Sequence, residues 1–263
     1  MTTVTSRGIE SVLKRDRSVV LATLLAITAL AWAYLIDMAI GMATMPMGEA
    51  VGGMRQVSWD LGYFAAMFVM WTIMMVGMML PSAAPMILLY ALIERKQRPS
   101  ESPYAGTTLF AAGYIAVWTG FSLIATFAQW GLSEAALLSP KMVGTSPILG
   151  GVLFIAAGIY QLTPLKNACL KHCRSPIHFL VHHRRTGRFG PLLMGLDHGA
   201  FCVGCCWFLM ALLFTLGVMN LLWVAAITVF VLLEKVLPVR WPVARISSAL
   251  MIGAGGALLV TQV

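Results

Sequence analysis

The chain has 263 residues, of which 59% are hydrophobic and only 11% charged, with a formal net charge of +8 and a mean hydropathy of +0.85. Soluble domains carry about 25% charged residues, so this composition excludes an ordinary soluble domain and points to a protein embedded in the lipid bilayer. Five cysteines without a regular spacing exclude a secreted disulfide framework.

Residues 1–17 are polar, with Arg7, Lys14, Arg15 and Arg17, and read as a short cytoplasmic tail. Apolar runs follow at 18–42, 61–81, 106–130, 147–164, 192–217, 220–236 and 244–262. Each approaches the ~20 residues that cross ~30 Å of hydrocarbon. The expected architecture is therefore all-α: a polytopic bundle of about seven transmembrane helices, one domain over 18–263. The first run is expected to span rather than be cleaved, since it is long and lacks a small-residue cleavage site. Of the eighteen Lys and Arg, all but Arg55 and Lys141 fall in the tail, the 94–104 loop, the 165–191 loop and the 235–245 turn. The positive-inside rule then sets the N-terminus in the cytoplasm and the C-terminus outside. The basic loop 165–191 carries Lys166, Lys171, Arg174, Arg184, Arg185 and Arg188 and no acid. It reads as lipid-headgroup contact; without aromatic interleaving it does not suggest nucleic acid.

Within the spans, chemistry is sparse. Asp37, near the outer end of the first run, is either a functional intramembrane carboxylate or an interfacial one. In the second run Met67, Met70, Met74 and Met78 fall within a narrow stripe when placed at ~100° per residue. Such thioethers either fill irregular gaps between helices or form a ladder for a soft cation such as Cu(I). Pro81 is expected to break or kink this helix, with Pro85 one turn later. The third run, with Trp118 and Gln129, shows packing and interface anchors alone.

The fourth run ends at Pro164, and PLKNACLKHCRSP follows. Here Cys169, His172 and Cys173 stand at i, i+3 and i+4, on one helical face. At a cytoplasmic surface their thiols stay reduced and available as ligands. His178 and His182 are spaced i, i+4 but sit among arginines, with His183 beside them.

The fifth run holds the densest chemistry, DHGAFCVGCCW over 197–207. On a helix His198, Cys202 and Cys205 lie at roughly 0°, 40° and −20°, Met194 joins them, and Cys206 is on the shoulder. Asp197 points about 100° away from His198. Gly195 and Gly199, one turn apart, predict a close approach by another helix. Imidazole and thiol on one face suit copper, zinc or iron; the same cysteines, taken one at a time, would be small apolar filler. Glu234 and Lys235 close the sixth run at the inner face, where Glu234 reads as a surface pair with a neighbouring cation, ahead of an outer-shell partner to a metal ligand. The last run, with Gly253, Gly255, Gly256 and Ala257, reads as a close-packing helix without chemistry.

Three blocks, MWTIMMVGMMLPSAAPM, PLKNACLKHCRSP and HGAFCVGCCWFLMALLFTLGVMNLLW continuing to LLEKVLP, resemble a family of uncharacterised bacterial proteins described as predicted metal-binding integral membrane proteins. The similarity covers about residues 60–240. It implies a bacterial inner-membrane location and metal binding by Cys169, Cys173, His198, Cys202 and Cys205, with Cys206 a sixth candidate. Asp197 and His172 enter the candidate set on spacing alone, as do Met67, Met70, Met74 and Met78.

The leading functional expectation is transition-metal handling, copper above zinc or iron: transport, or delivery to a metalloprotein or metallochaperone. A membrane-embedded redox or metalloenzyme is the alternative, since Cys202-x-x-Cys205 and vicinal Cys205-Cys206 suit thiol exchange. A structural subunit with packing cysteines is the third. No ATP-binding motif is present, so transport would run on a gradient or on coupling to another protein.

Overall fold

The computed structural model describes residues 2–44, 59–97, 102–139, 142, 144–183, 185, 187–237 and 243–260. Arg55 and Lys141, which stand for the outer loops in the orientation argument, lie outside these residues, as do Arg98, Arg184 and Arg240. Among the described residues the backbone forms ten helices: α1 Thr2–Thr44, α2 Leu61–Gln97, α3 Tyr104–Glu134, α4 Pro147–Gln161, α5 Pro164–Arg174, α6 Pro176–His182, α7 Gly190–Ala211, α8 Leu213–Leu216, α9 Leu221–Val236 and α10 Val243–Val260.

Local sequence explains the boundaries. Ser146 caps α4 by accepting from the Leu149 amide, and Thr163 caps α5 by accepting from the Lys166 amide. Each cap precedes a proline whose fixed φ suits a first helical turn and whose missing N–H is not needed there. Asn220 caps α9 in the same way, through the Leu222 amide. Proline also stands in the first turn of α6 and α7.

Pro81 and Pro85 behave otherwise. The helix was expected to break or kink at this point; it does not break, and α2 continues through both prolines. Pro81 cannot donate to the Gly77 carbonyl four residues back. The Trp32 indole of α1 donates to that carbonyl instead, at 3.2 Å. A neighbouring helix thus satisfies the group the proline frees, which is how apolar bundles tolerate internal proline.

Among the described residues five segments are long and apolar enough to cross a membrane: Val12–Gly41, Leu61–Gln97, Tyr104–Glu134, Gly190–Leu216 and Val243–Val260. A sixth arises if α4 and α5, bent by 65° at the break between them, are one broken span. The helix α9 has sixteen residues, a rise of about 24 Å, short of the ~30 Å of a bilayer core. Large apolar side chains such as Leu30, Ile124, Leu222 and Leu250 face outward, as they would towards lipid.

The helices pack in two groups. In one, α1 lies on α2, α2 on α3, α3 on α7 and α7 on α5, with α9 touching α2, α5 and α7. In the other, α4 lies along α10. Without water to expel, helices associate through close van der Waals fit, and small residues permit it. As the spacing predicts, Gly195 is such a point: a Cβ there would fall 2.0 Å from the Phe110 carbonyl oxygen on α3. In the second group a Cβ on Gly255 would lie 2.7 Å from the Gly151 carbonyl oxygen, so α10 is the close-packing helix its sequence suggests.

Candidate functional site

Because α5 packs on α7, the two cysteine groups meet. A Cβ on Gly204 would fall 2.8 Å from the Cys169 sulfur, so the glycine is the seat for that thiol. One turn further along α5, the Cys173 thiol is within hydrogen-bonding reach of Cys202 and Cys205. On α7, Cys205 and Cys206 both donate to the Cys202 carbonyl, at 3.1 and 2.9 Å. All five cysteines are free thiols; the three on α7 are fully buried and the two on α5 partly so. The backbone packing around them is tight: the Tyr160 hydroxyl of α4 donates to the Gly204 carbonyl.

Cys202 is the hub. Its sulfur is 3.1 Å from the Tyr114 hydroxyl of α3 and 3.0 Å from the Lys235 ammonium of α9. The Tyr114 hydroxyl also donates to the Met79 carbonyl. Lys235 donates to the Ser82 hydroxyl at 2.7 Å, and Ser82 in turn donates to the Met79 carbonyl. Four helices therefore converge on one sulfur. Sequence reasoning missed Lys235, Tyr114 and Ser82. The available signal was a lysine following a long apolar run, Leu221 to Leu233, at a position where the pattern gives it no surface of its own.

Glu234 corrects the expectation of a surface pair. It is 3% exposed and bonded at 2.7 Å to Lys166, which is itself buried and also donates to Gln161. Arg174 donates to the Glu234 carbonyl at 2.6 Å. Adjacent residues on α9 thus serve different networks.

The remaining predicted residues separate. His198 is buried among Phe110, Tyr114 and Phe179, with ring centroids 6.1, 5.5 and 5.3 Å away, and its Nδ1 has no partner. It lies within electrostatic range of Cys202. His172 stacks on Phe201 at 4.0 Å and spends its Nδ1 on the Ala168 carbonyl. His183, whose buried Nδ1 has no partner, is 5.4 Å from the His172 ring. His178 and His182 stack on each other in an exposed position. Asp197 takes both of its bonds from Arg185 at one oxygen. Asp37 is exposed on α1.

Met67, Met70, Met74 and Met78, with Met75 and Met79, are all buried. Gln129, expected to do no more than pack, is buried too: it accepts from the Trp71 indole and donates to the Met67 sulfur at 3.6 Å. The column ends at Met79, one hydrogen bond from Tyr114 and two from Cys202.

Among the described residues no group of three or more His, Cys, Asp and Glu side chains is poised to hold a metal ion. The α7 thiols are engaged elsewhere: Cys205 and Cys206 donate to the Cys202 carbonyl, and the Cys202 sulfur meets the Tyr114 hydroxyl and the Lys235 ammonium. Thiols and thioethers are ligand types that soft ions such as Cu(I) and Zn(II) favour.

The chain belongs to the PpoB2 copper chaperone family, whose family model matches residues 68–258. That stretch contains all five cysteines, His198 and Lys235 and every candidate methionine except Met67. No curated protein and no solved structure matches the chain.

Proposed function

We propose that the protein is a membrane-embedded copper chaperone that holds Cu(I) as cargo on Cys173, Cys202 and Cys205 and passes it to a metalloprotein. In this reading Cys169 and Cys206 flank the site and take part in ligand exchange, and His198 supplies an imidazole on the same helical stripe. The buried methionines of α2 form the route towards the thiols. Counting α4 and α9, each shorter than a full crossing, with α1, α2, α3, α7 and α10 gives seven spans, with the N-terminus cytoplasmic and the membrane the inner one of a bacterium. The thiol cluster then lies towards the cytoplasmic leaflet.

The observation that carries this reading is the packing of α5 on α7, which seats the Cys169 sulfur at Gly204 and brings Cys173 near Cys202 and Cys205. Thiols from two elements are what exchange of a soft ion needs, since one ligand can let go while the others hold. Cu(I) would be bound as thiolates, so each bond formed releases the thiol proton. Cys205 would have to turn from the Cys202 carbonyl to face the ion. Family membership supports copper as that ion.

Copper content per purified chain tests the proposal. Wild type is expected to carry or take up stoichiometric Cu(I), and the Cys202→Ser, Cys205→Ser double variant to lose it while keeping its helical content. A wild-type protein that carries no copper and gains none on Cu(I) titration would overturn the reading.

A further inference from the structure

Lys235 has no carboxylate partner among the described residues. Its sequence neighbour Glu234 is bound to Lys166 instead. The ammonium rests on Ser82 and on the Cys202 sulfur, and Cys173, Cys205 and Tyr114 are the further groups within its electrostatic range. A charge this deeply enclosed is expensive to keep without a counter-charge. The groups available to balance it are the sulfurs that would hold the metal.

The geometry points to Lys235 as the residue that makes the thiol site accept a monovalent soft ion and reject divalent ones, a deeper reading that rests on the proposed copper site. Two features combine. First, for one set of thiolates, repulsion between a bound ion and the ammonium scales with the ion's charge, so Zn(II) and Cu(II) feel twice what Cu(I) feels; burial weakens the screening that would hide this. Second, Zn(II) asks for four ligands in a tetrahedron, and the ammonium occupies one side of the Cys202 sulfur. Cu(I) is satisfied by two or three thiolates and leaves that side free.

The test is a pair of titrations, Cu(I) and Zn(II), each against a competing chelator, on wild type, Lys235→Leu and Lys235→Arg. Leucine brings no ligand for either ion, and Ser82 retains its bond to the Met79 carbonyl, so Lys235→Leu leaves no hydroxyl stranded. Should that variant not yield folded protein, Lys235→Gln carries the same comparison. The inference expects Lys235→Leu to tighten Zn(II) by ~tenfold or more relative to Cu(I), with Lys235→Arg keeping the wild-type ratio. An unchanged ratio in Lys235→Leu, or an equal shift for both ions, overturns the inference while leaving the copper site standing. Wild-type protein that binds no Cu(I) removes the copper site and this inference together.

Discussion

Lys166 and Lys235 are both buried ammonium groups, and their surroundings differ in kind. Lys166, 1% exposed, has a carboxylate and an amide, Glu234 and Gln161, and forms a closed ion pair. Lys235, 8% exposed, has a hydroxyl and a thiol sulfur. The first network pairs its charges within the folded chain and ties α5 to α9. In the second the charge rests on neutral groups, one of them sulfur. A buried charge paired with its opposite is structural, whereas one that leans on a thiol marks a candidate site.

The largest expected effect is on the first lysine. Glu234→Gln strips Lys166 of its counter-charge and is expected to cost about 3–5 kcal/mol, the usual result of breaking one side of a buried pair. Thermal unfolding in detergent reads it, and copper per folded chain should not change. A variant of wild-type stability with lowered copper would reverse the roles assigned to the two lysines. Next comes Gly195→Val, whose side chain meets the Phe110 carbonyl and is expected to cost about 1–3 kcal/mol by overpacking. It forces α7 away from α3, so Cys202 loses Tyr114; ultraviolet titration of the tyrosines would follow that loss. The smallest is Ser82→Ala, expected at about 1 kcal/mol for one lost hydrogen bond. It frees the Lys235 ammonium from α2 and leaves the Lys166 pair untouched, so urea midpoints of Ser82→Ala and Glu234→Gln should differ severalfold in displacement.

Much of this was legible in the sequence, and the reason is local. The apolar runs give the long helices, and caps followed by proline mark where α4 and α5 begin. Periodicity puts His198, Cys202 and Cys205 on one stripe, and all three are buried in the bundle. What periodicity cannot supply is the identity of the opposing face. Lys235 lies at the end of an apolar helix, and no pattern within that helix says that Cys202 of another helix waits opposite. For the same reason Glu234 reads as a surface residue until Lys166 is placed beside it. The intact passage of α2 through Pro81 depends on Trp32, 49 positions upstream and on a separate helix. Asp197 shares the motif but faces Arg185; its rotation of ~100° from His198 already hinted at that.

The claim at the centre is that sulfurs from α5 and α7 bind copper together. X-ray absorption at the copper edge, on Cu(I)-loaded wild type and on Cys173→Ser, tests it most directly. The account predicts a shell dominated by sulfur in wild type and one sulfur fewer in Cys173→Ser. A wild-type shell of nitrogen and oxygen alone, or a sulfur count indifferent to Cys173, would contradict it.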